Sequence, residues 1–495
     1  MASPVDNVAL HARLAPERLA AVDLASDLRW SYAALDRDVA RCVTVLSLRG
    51  CKPGDRVVAI AKNHVLQLIL HLACARLGAV YTPLNVRLSG HELSVLVERA
   101  RPRITIGDER LERRVHEDLV LTELLAALPH AAPARPEPID PDRPSLMLFT
   151  SGTTGRPKGV LLSERNISET ALNFTQLARV DRHSRFLGDA PMFHTIGLLS
   201  NTRPALHAGG ACLLSESFDP AVTLARLADR ELAVSHYFCV PQMAAALRAQ
   251  PHYEPGKLSG LTALFTGGAT HAAEAIRTFV REGIAVADGY GMSELGCVLG
   301  MPLELSVIDH KAGSVGLSTA RVQTRVVDDA GQPCAVGTPG ELWVRGETVF
   351  AGYYESPEDT RAAFVDGWFR TGDLVKVDDD GFHYVLDRKK DMFISGGENV
   401  YPAEIESCLL GLFDLAEAAV VGVPDERWGE VGHLVIVPVH GKTLEPARIL
   451  AFLNERLARY KVPRFVTELT ALPRTGTGKV QKHAIRSLLV SNEAR

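Results

Sequence analysis

The segment LMLFTSGTTGRPKGV, Leu146 to Val160, places a dense set of small and hydroxylated residues directly after an apolar, strand-like run. Thr150, Ser151, Gly152, Thr153, Thr154 and Gly155 lead to Lys158 and Gly159. Glycines let backbone N–H groups converge, hydroxyls add donors and the lysine adds a mobile positive charge, so the chemistry offered is the cradling of a polyphosphate. The pattern G-x-x-x-x-G-K-[ST] is absent, so this is not a Walker A loop. A merely flexible loop is the competing reading, but ordering so many donors without a ligand is costly. A second loop, PRTGTGKVQK (Pro473 to Lys482), lies more than three hundred residues downstream and again sets glycines before a lysine. Alone it reads equally as a surface turn; with the first it suggests that two domains bring positive charge to one anion.

The bulk properties exclude several other classes. With 495 residues, 46% hydrophobic and 23% charged, the chain is globular and long enough for a large body plus a smaller unit. A formal net charge of −5 gives no reason to expect a nucleic-acid partner. The arginine runs ERARPR (Glu98 to Arg103) and ERLERR (Glu109 to Arg114) read mainly as solvated faces and leave only a weak peripheral contact with anionic lipid, or with the phosphates of a large cofactor, to consider. The eight cysteines form no C-x-x-C pair and suit a reducing compartment. The N-terminus carries early charges where a signal peptide is apolar, and no apolar run is long enough to span a membrane, so a cytoplasmic location is expected. A serine hydrolase is excluded by the lack of a G-x-S-x-G elbow.

The elements that must hold these loops alternate. Leu35 to Leu48 and Val65 to Arg76 read as helices; Val57 to Ala61, Ala79 to Leu84, Ala211 to Ser215, Val234 to Val240, Ala263 to Gly268 and Ala285 to Gly291 read as strands. Short strands without polar alternation, separated by helices, predict α/β layers covered on both faces. From about Val322 the turn signals DDAGQP and DDDG predict a small β-rich subdomain. Beyond Asp391 a helix starting at Pro402, with Ile405, Leu409 and Leu412 at helical spacing, and another near Pro446 predict a separate α+β unit. The division expected is 1–388 and 389–495.

Four segments together resemble the adenylate-forming superfamily of acyl-CoA synthetases, peptide synthetase adenylation domains and firefly-type luciferases: TSGTTGRPKG (Thr150 to Gly159), DGYGMSE (Asp288 to Glu294), WFRTGD (Trp368 to Asp373) and PRTGTGK (Pro473 to Lys479). The stretch DRKKDMFISGGENVYPAEIE (Asp387 to Glu406) is similar to bacterial fatty acyl-CoA and aryl-CoA synthetases. The resemblance implies ATP, Mg²⁺ and coenzyme A as cofactors, and a C-terminal domain that moves between two half-reactions. By it, Glu294 coordinates Mg²⁺, which its hard oxygens suit. Asp288, Gly289, Tyr290, Gly291 and Ser293 belong to the nucleotide site, with Tyr290 stacked on adenine and Gly268 and Ala269 lining it by backbone. Asp373 accepts from the ribose hydroxyls, and Arg388 contacts ribose or phosphate. Lys479 bridges the attacking carboxylate and the α-phosphate, a role that needs no proton transfer because the acid is already ionised. Lys390 is the hinge, and Gly396 and Gly397 give the pantetheine arm close backbone passage. His194, Gly267 and Gly291 border the acyl pocket.

The acid is read from the candidate walls Pro191 to Asn201, Tyr237 to Pro241 and Phe265 to Ala269, which are mostly apolar. They offer no evident cation for a second carboxylate, although Arg203 is near in sequence. A medium- or long-chain fatty acid is expected, with benzoate- or hydroxycinnamate-type acids as the alternative. No carrier domain follows Lys479 in the sequence, so coenzyme A is the expected acceptor; a free-standing enzyme loading a separate carrier, a non-catalytic ATP-binding module and a homodimer stay open.

Overall fold

A computed structural model of the chain describes residues 6–135, 137–150, 157–269, 271–389, 391–395, 398–409, 414–425, 427–439, 441–457, 459–474 and 479–493, with 399 and 490–493 by backbone alone. Ser151, Gly152, Thr153, Thr154, Gly155, Lys390, Gly396 and Gly397 lie outside the described residues, as does Leu412. Among the described residues no helix is long and apolar enough to cross a membrane.

The strands described fall into four sheets. The largest runs, in spatial order, Leu317–Ser318, Gly296–Gly300, Val286–Met292, Ala263–Thr266, His236–Cys239, Arg185–Gly188, Ala211–Leu214, Leu19–Asp23 and Leu28–Ser31. Its central six strands are parallel. The second contains Gly352–Tyr353, Lys158–Ser163, Pro144–Thr150, Val80–Pro83, Arg56–Ile60, Ile104–Gly107 and Leu119–Val120. Helix Val65–Leu77 packs against both sheets. Its sequence, VLQLILHLACARL, is apolar on nearly every side, and every residue from Val65 to Ala75 is buried; such a helix needs cover all round, which two flanking sheets provide. The third, small antiparallel sheet carries Val322–Val327, Gly340–Gly346, Phe364–Val365, Trp368–Val377 and His383–Arg388, matching the expected β-rich subdomain.

The smaller C-terminal domain is built on the paired strands Leu415–Asp425 and Gly429–Pro438. Successive side chains point to opposite faces. Val420, Leu434 and Ile436 pack with Ile405, Leu409, Ile449 and Leu453 on one side, while Ala419, Val421, Val435 and Val437 pack with Ile485 and Leu489 on the other. Helices thus cover both faces of this sheet, with its own cores apart from the main one, which ends at Phe382. The two domains touch beside the last strand of the third sheet. Asp387 accepts from the Ala403 N–H at 3.0 Å, and Lys482 Nζ lies 3.0 Å from Glu406 and 3.7 Å from Asp387.

The arginine runs are tied partly to carboxylates, Arg101 to Glu355 and Arg110 to Asp108, and partly to the backbone. Arg103 donates to the Gly50 carbonyl at 3.1 Å, and Arg114 donates to the carbonyls of Val86 and Leu88 at 3.1 and 2.6 Å. Arg203, which in sequence stands near the acyl walls, is directed elsewhere. It is buried, pairs with Glu164 at 2.6 Å and donates to His71 Nε2 at 3.2 Å, while Ser145 donates to Glu164 at 2.7 Å. Burial opposes ionisation of Glu164, yet the Arg203 charge and these hydrogen bonds hold its carboxyl below the usual range. His71, wholly buried beside Arg203, is pulled down to about 3 and is neutral.

Replacing Arg203 with methionine should leave Glu164 buried and unpaired and cost roughly 3–5 kcal/mol in urea unfolding. The double variant Glu164→Gln/Arg203→Met should be considerably less damaged. His71 protonates near 6.5 when unfolded but near 3 when folded, so the unfolded chain takes up the proton first. Stability should therefore fall as pH drops below about 6.5, by at most about 1.4 kcal/mol per pH unit for this group. His71→Gln should flatten that acid limb in melts between pH 7 and 5.

Candidate active site

Parallel strands bring their carboxyl ends to one edge, the usual place for a ligand in an open α/β sheet. From that edge extend residues 189–194, 240, 267–269 and 288–294, all in segments the sequence singled out. The phosphate loop arrives from the second sheet. Pro144–Thr150 and Lys158–Ser163 are antiparallel, with Thr150 opposite Lys158, so strands flank both ends of the loop. No helix follows the loop directly, and the positive end of a helix cannot supplement its donors as it does in a Walker A loop.

Lys158 is already engaged. Its Nζ lies 2.8 Å from Asp359 and 5.0 Å from the centre of the Tyr353 ring. The Tyr353 hydroxyl donates to Glu294 Oε1 at 3.0 Å. Glu294 is buried, and that burial holds its carboxyl above the usual range, against the opposing hydrogen bonds and the charges of Arg388 and Lys479. Sequence reasoning missed Tyr353 and Asp359. The pattern GYYESPED contains both, but nothing in its spacing points across the molecule to Lys158 or Glu294.

Asp373 and Arg388 stand opposite one another on neighbouring antiparallel strands and form an ion pair at 2.6 Å. The Tyr290 hydroxyl donates to the other oxygen of Asp373. Tyr290 is thus tied to the carboxylate expected to hold ribose, a link the stacking role alone did not foretell. Asp288 is buried and accepts from Thr266 at 2.9 Å; Thr266 in turn meets His271 Nδ1 at 3.1 Å. Burial pushes the Asp288 carboxyl up to about 7. Gly289 is partly covered and Ser293 half-exposed. Gly291 sits where the strand pairing slips by one residue, and a Cβ there would lie 2.1 Å from the Gly296 carbonyl oxygen. No other residue type fits without moving that backbone.

The segments expected to wall the acyl pocket lie near one another around Gly267 and Gly268. A Cβ on Gly267 would stand 3.0 Å from the Gly289 carbonyl oxygen and 3.4 Å from the Phe238 ring. Gly268 has φ +79°, and beside it Ile196 and Val240 lie 3.5 and 3.9 Å from where a Cβ would be. Gly268 and Ala269 are exposed at the mouth. His194 packs edge-on to Phe193 with ring centres 4.6 Å apart. Burial, then the charges of Lys479 and Arg87, pull it down to about 4, so it is a neutral wall at physiological pH and not a proton carrier held half-charged.

Lys479 reaches this centre from the C-terminal domain. Its side chain is exposed, and its charge acts on His194, Glu294 and Asp373. Residues separated by almost three hundred positions, His194 and Lys479, are thereby brought close together. The hairpin holding the other expected surface is formed by Phe393–Ser395 and Glu398–Val400, with Ser395 opposite Glu398.

The chain can now be set beside known proteins. The profile of the AMP-binding enzyme family matches residues 8–354, and that of the AMP-binding enzyme C-terminal domain matches 404–479. A feruloyl-CoA synthase of Amycolatopsis sp is 38% identical over 92% of this chain and 93% of its own. An indoleacetate–CoA ligase of Aromatoleum aromaticum is 36% identical over 97% and 96%. A long-chain-fatty-acid–CoA ligase, FadD13 of Mycobacterium tuberculosis, is 32% identical over 96% of each. ATP-bound MatB from Rhodopseudomonas palustris superposes with a TM-score of 0.88 at 33% identity, covering 97% of this chain and 99% of that one. The specific likeness to fatty acyl-CoA synthetases expected from sequence is thereby corrected, because relatives named for aromatic acids match this chain more strongly than one named for fatty acids. The chain belongs to the AMP-binding enzyme family, in the acyl-CoA synthetase branch of the adenylate-forming superfamily of acid–thiol ligases.

Proposed function

We propose that the chain is an ATP-dependent, AMP-forming acyl-CoA synthetase whose acid is aromatic, of the hydroxycinnamate or arylacetate type. The observation that carries this reading is that a feruloyl-CoA synthase and an indoleacetate–CoA ligase match this chain at 38% and 36% identity over 92% and 97% of its length. Phe238, Ile196 and Val240 lie beside Gly267 and Gly268 and offer apolar neighbours to the body of such an acid. Arg203, the candidate partner for a second carboxylate, is already neutralised by Glu164.

Adenine lies against Tyr290 and the backbone at Gly268 and Ala269, with Asp288, Gly289, Gly291 and Ser293 around it. Asp373 takes the ribose hydroxyls, backed by Arg388. Thr150 and Lys158, with Ser151 to Gly155, take the β- and γ-phosphates. Among the described residues no three His, Cys, Asp or Glu side chains converge to hold a metal. One buried carboxylate, Glu294, fits Mg²⁺, an ion that keeps phosphate oxygens and waters as its other ligands. When bound there, Mg²⁺ supplies charge neutralisation to the leaving pyrophosphate.

The acid enters ionised. A carboxylate oxygen forms a bond to the α-phosphorus, the bond to the β-phosphate oxygen breaks, and pyrophosphate leaves. Lys479 offsets the charge of the two anions as they meet, so this step is positioning and electrostatics without proton abstraction. Coenzyme A sulfur then attacks the acyl carbon, the thiol proton is lost, and AMP departs with the mixed-anhydride oxygen. For this step the domain 389–495 turns about Lys390, withdrawing Lys479 and presenting Gly396 and Gly397 to the pantetheine arm.

Lys479→Ala should lower acid-dependent ATP–pyrophosphate exchange by roughly 10²–10³-fold, while acyl transfer from supplied acyl-adenylate to coenzyme A changes little. Equal losses in the two half-reactions refute the assigned role. In a screen with ATP and coenzyme A, ferulate or indoleacetate should exceed palmitate in kcat/KM by at least about tenfold. The reverse order restores the fatty-acid reading, and acylation of a carrier thiol with no coenzyme A consumption changes the acceptor.

A further inference from the structure

We propose that Tyr353 is a positioning residue that joins Lys158 to Glu294, so that the triphosphate and its Mg²⁺ are bound as one unit. The inference rests on the function proposed above and adds a residue and a coupling to it.

Tyr353 stands at the junction of three segments. Its strand, Gly352–Tyr353, pairs antiparallel with Lys158–Ser163, the strand leaving the phosphate loop, and places Tyr353 opposite Val160. Its hydroxyl donates to Glu294 Oε1 at 3.0 Å, while the Phe350 N–H donates to the Glu294 backbone carbonyl at 2.8 Å. The segment 350–353 therefore grips Glu294 by both its side chain and its backbone. The face of the same ring lies 5.0 Å from Lys158 Nζ. Phe350 packs edge-on to Tyr353 at 4.8 Å, and the Tyr353 N–H donates to Thr360 Oγ1 at 2.9 Å, so ring and backbone are both held.

A phenol in this position acts in two separable ways. Its O–H helps fix the rotation of a buried carboxylate that the Glu294 backbone also holds, and a hydrogen bond to a charged acceptor is among the stronger ones. Its π-face steadies the lysine, a contact worth about 0.5–2 kcal/mol. Asp359 is the anion paired with Lys158. A phosphate oxygen replacing Asp359 would find the lysine already beside the ring and the carboxylate already turned.

The test uses the full-length protein and equilibrium binding rather than turnover. Dissociation constants for AMP, for ATP in the presence of chelator and for ATP with Mg²⁺ are measured by calorimetry for wild type, Tyr353→Phe and Tyr353→Leu. Phenylalanine keeps the ring and removes the hydroxyl. AMP and metal-free ATP should bind Tyr353→Phe within about twofold of wild type, whereas the gain in ATP affinity on adding Mg²⁺ should fall about 3–10-fold. Tyr353→Leu should show the same loss and, in addition, weaken metal-free ATP several-fold, because Lys158 loses its platform. An unchanged Mg²⁺ gain in Tyr353→Phe overturns the proposal. Equal weakening of all three ligands with a lowered melting temperature overturns it too, since that is the signature of a merely structural residue. A wild-type protein that binds neither AMP nor ATP overturns the parent reading, an outcome distinct from either of these.

Discussion

Bringing a carboxylate against a polyphosphate is the constraint on which this site is built, because the two anions repel as they approach. Two like unit charges 4 Å apart oppose each other by about 4 kcal/mol at the effective dielectric near a protein surface. The cations expected to offset that repulsion come from separate parts of the chain. Lys158 comes from the second sheet, Arg388 from the small antiparallel sheet and Lys479 from the C-terminal domain. Carboxylates at the same mouth, Glu294, Asp373 and Asp359, keep these cations from repelling one another before a ligand arrives. The acids are individually unfavourable, as the upward displacement of Glu294 and Asp373 by burial attests. Their cost is offset by phenolic and guanidinium partners, and that is why Tyr290 and Tyr353 both point their hydroxyls at a carboxylate.

The same constraint explains the division of labour between stiff and movable parts. Residues expected to hold the nucleotide sit on strands or within a residue or two of their ends: Asp288 to Met292 on a central strand, Asp373 and Arg388 on paired strands. A sheet fixes such groups to within the tolerance that hydrogen bonds require. Lys479, in contrast, stands on a domain whose two cores are its own. Among the described residues, contacts to the main body include the polar groups at Asp387, Ala403 and Lys482. Such a junction can be exchanged at modest cost, whereas an extended apolar seam could not.

How far the sequence reached follows from the range of the interactions involved. The α/β layering, the β-rich subdomain and the C-terminal helices from Pro402 and Pro446 are written in local periodicity, so strand and helix bounds fall within a few residues of expectation. The phosphate-cradling reading could be made from residues alone because its donors are contiguous from Thr150 to Lys158. Glu294, Asp373 and Lys479 came only through the resemblance, since a single acid or lysine carries no sign of its partners. Tyr353 and Asp359 escaped altogether, because their relation to Lys158 depends on a short edge strand joining the second sheet nearly two hundred residues later. Arg203 shows the opposite error: near the acyl walls in sequence, it faces Glu164 across two helix starts.

Substrate identity was the least legible property for the same reason. The expected acyl walls come from different strands and the segments that follow them, where Phe238, Ile196 and Val240 lie beside Gly267 and Gly268. Composition registers that these residues are apolar, which serves a fatty chain and an aromatic ring equally. Only the separation of the walls distinguishes a flat ring from a flexible chain, and separation is a property of the sheet's register. Parallel pairing of His236–Cys239 with Ala263–Thr266 sets Cys239 beside Thr266, and with it Val240 beside Gly267 and Gly268. The charged and phenolic side chains around Glu294 and Asp373 are set by their own pairings, whereas the placement of Gly267 and Gly268 is set by strand register, so the second can change without disturbing the first.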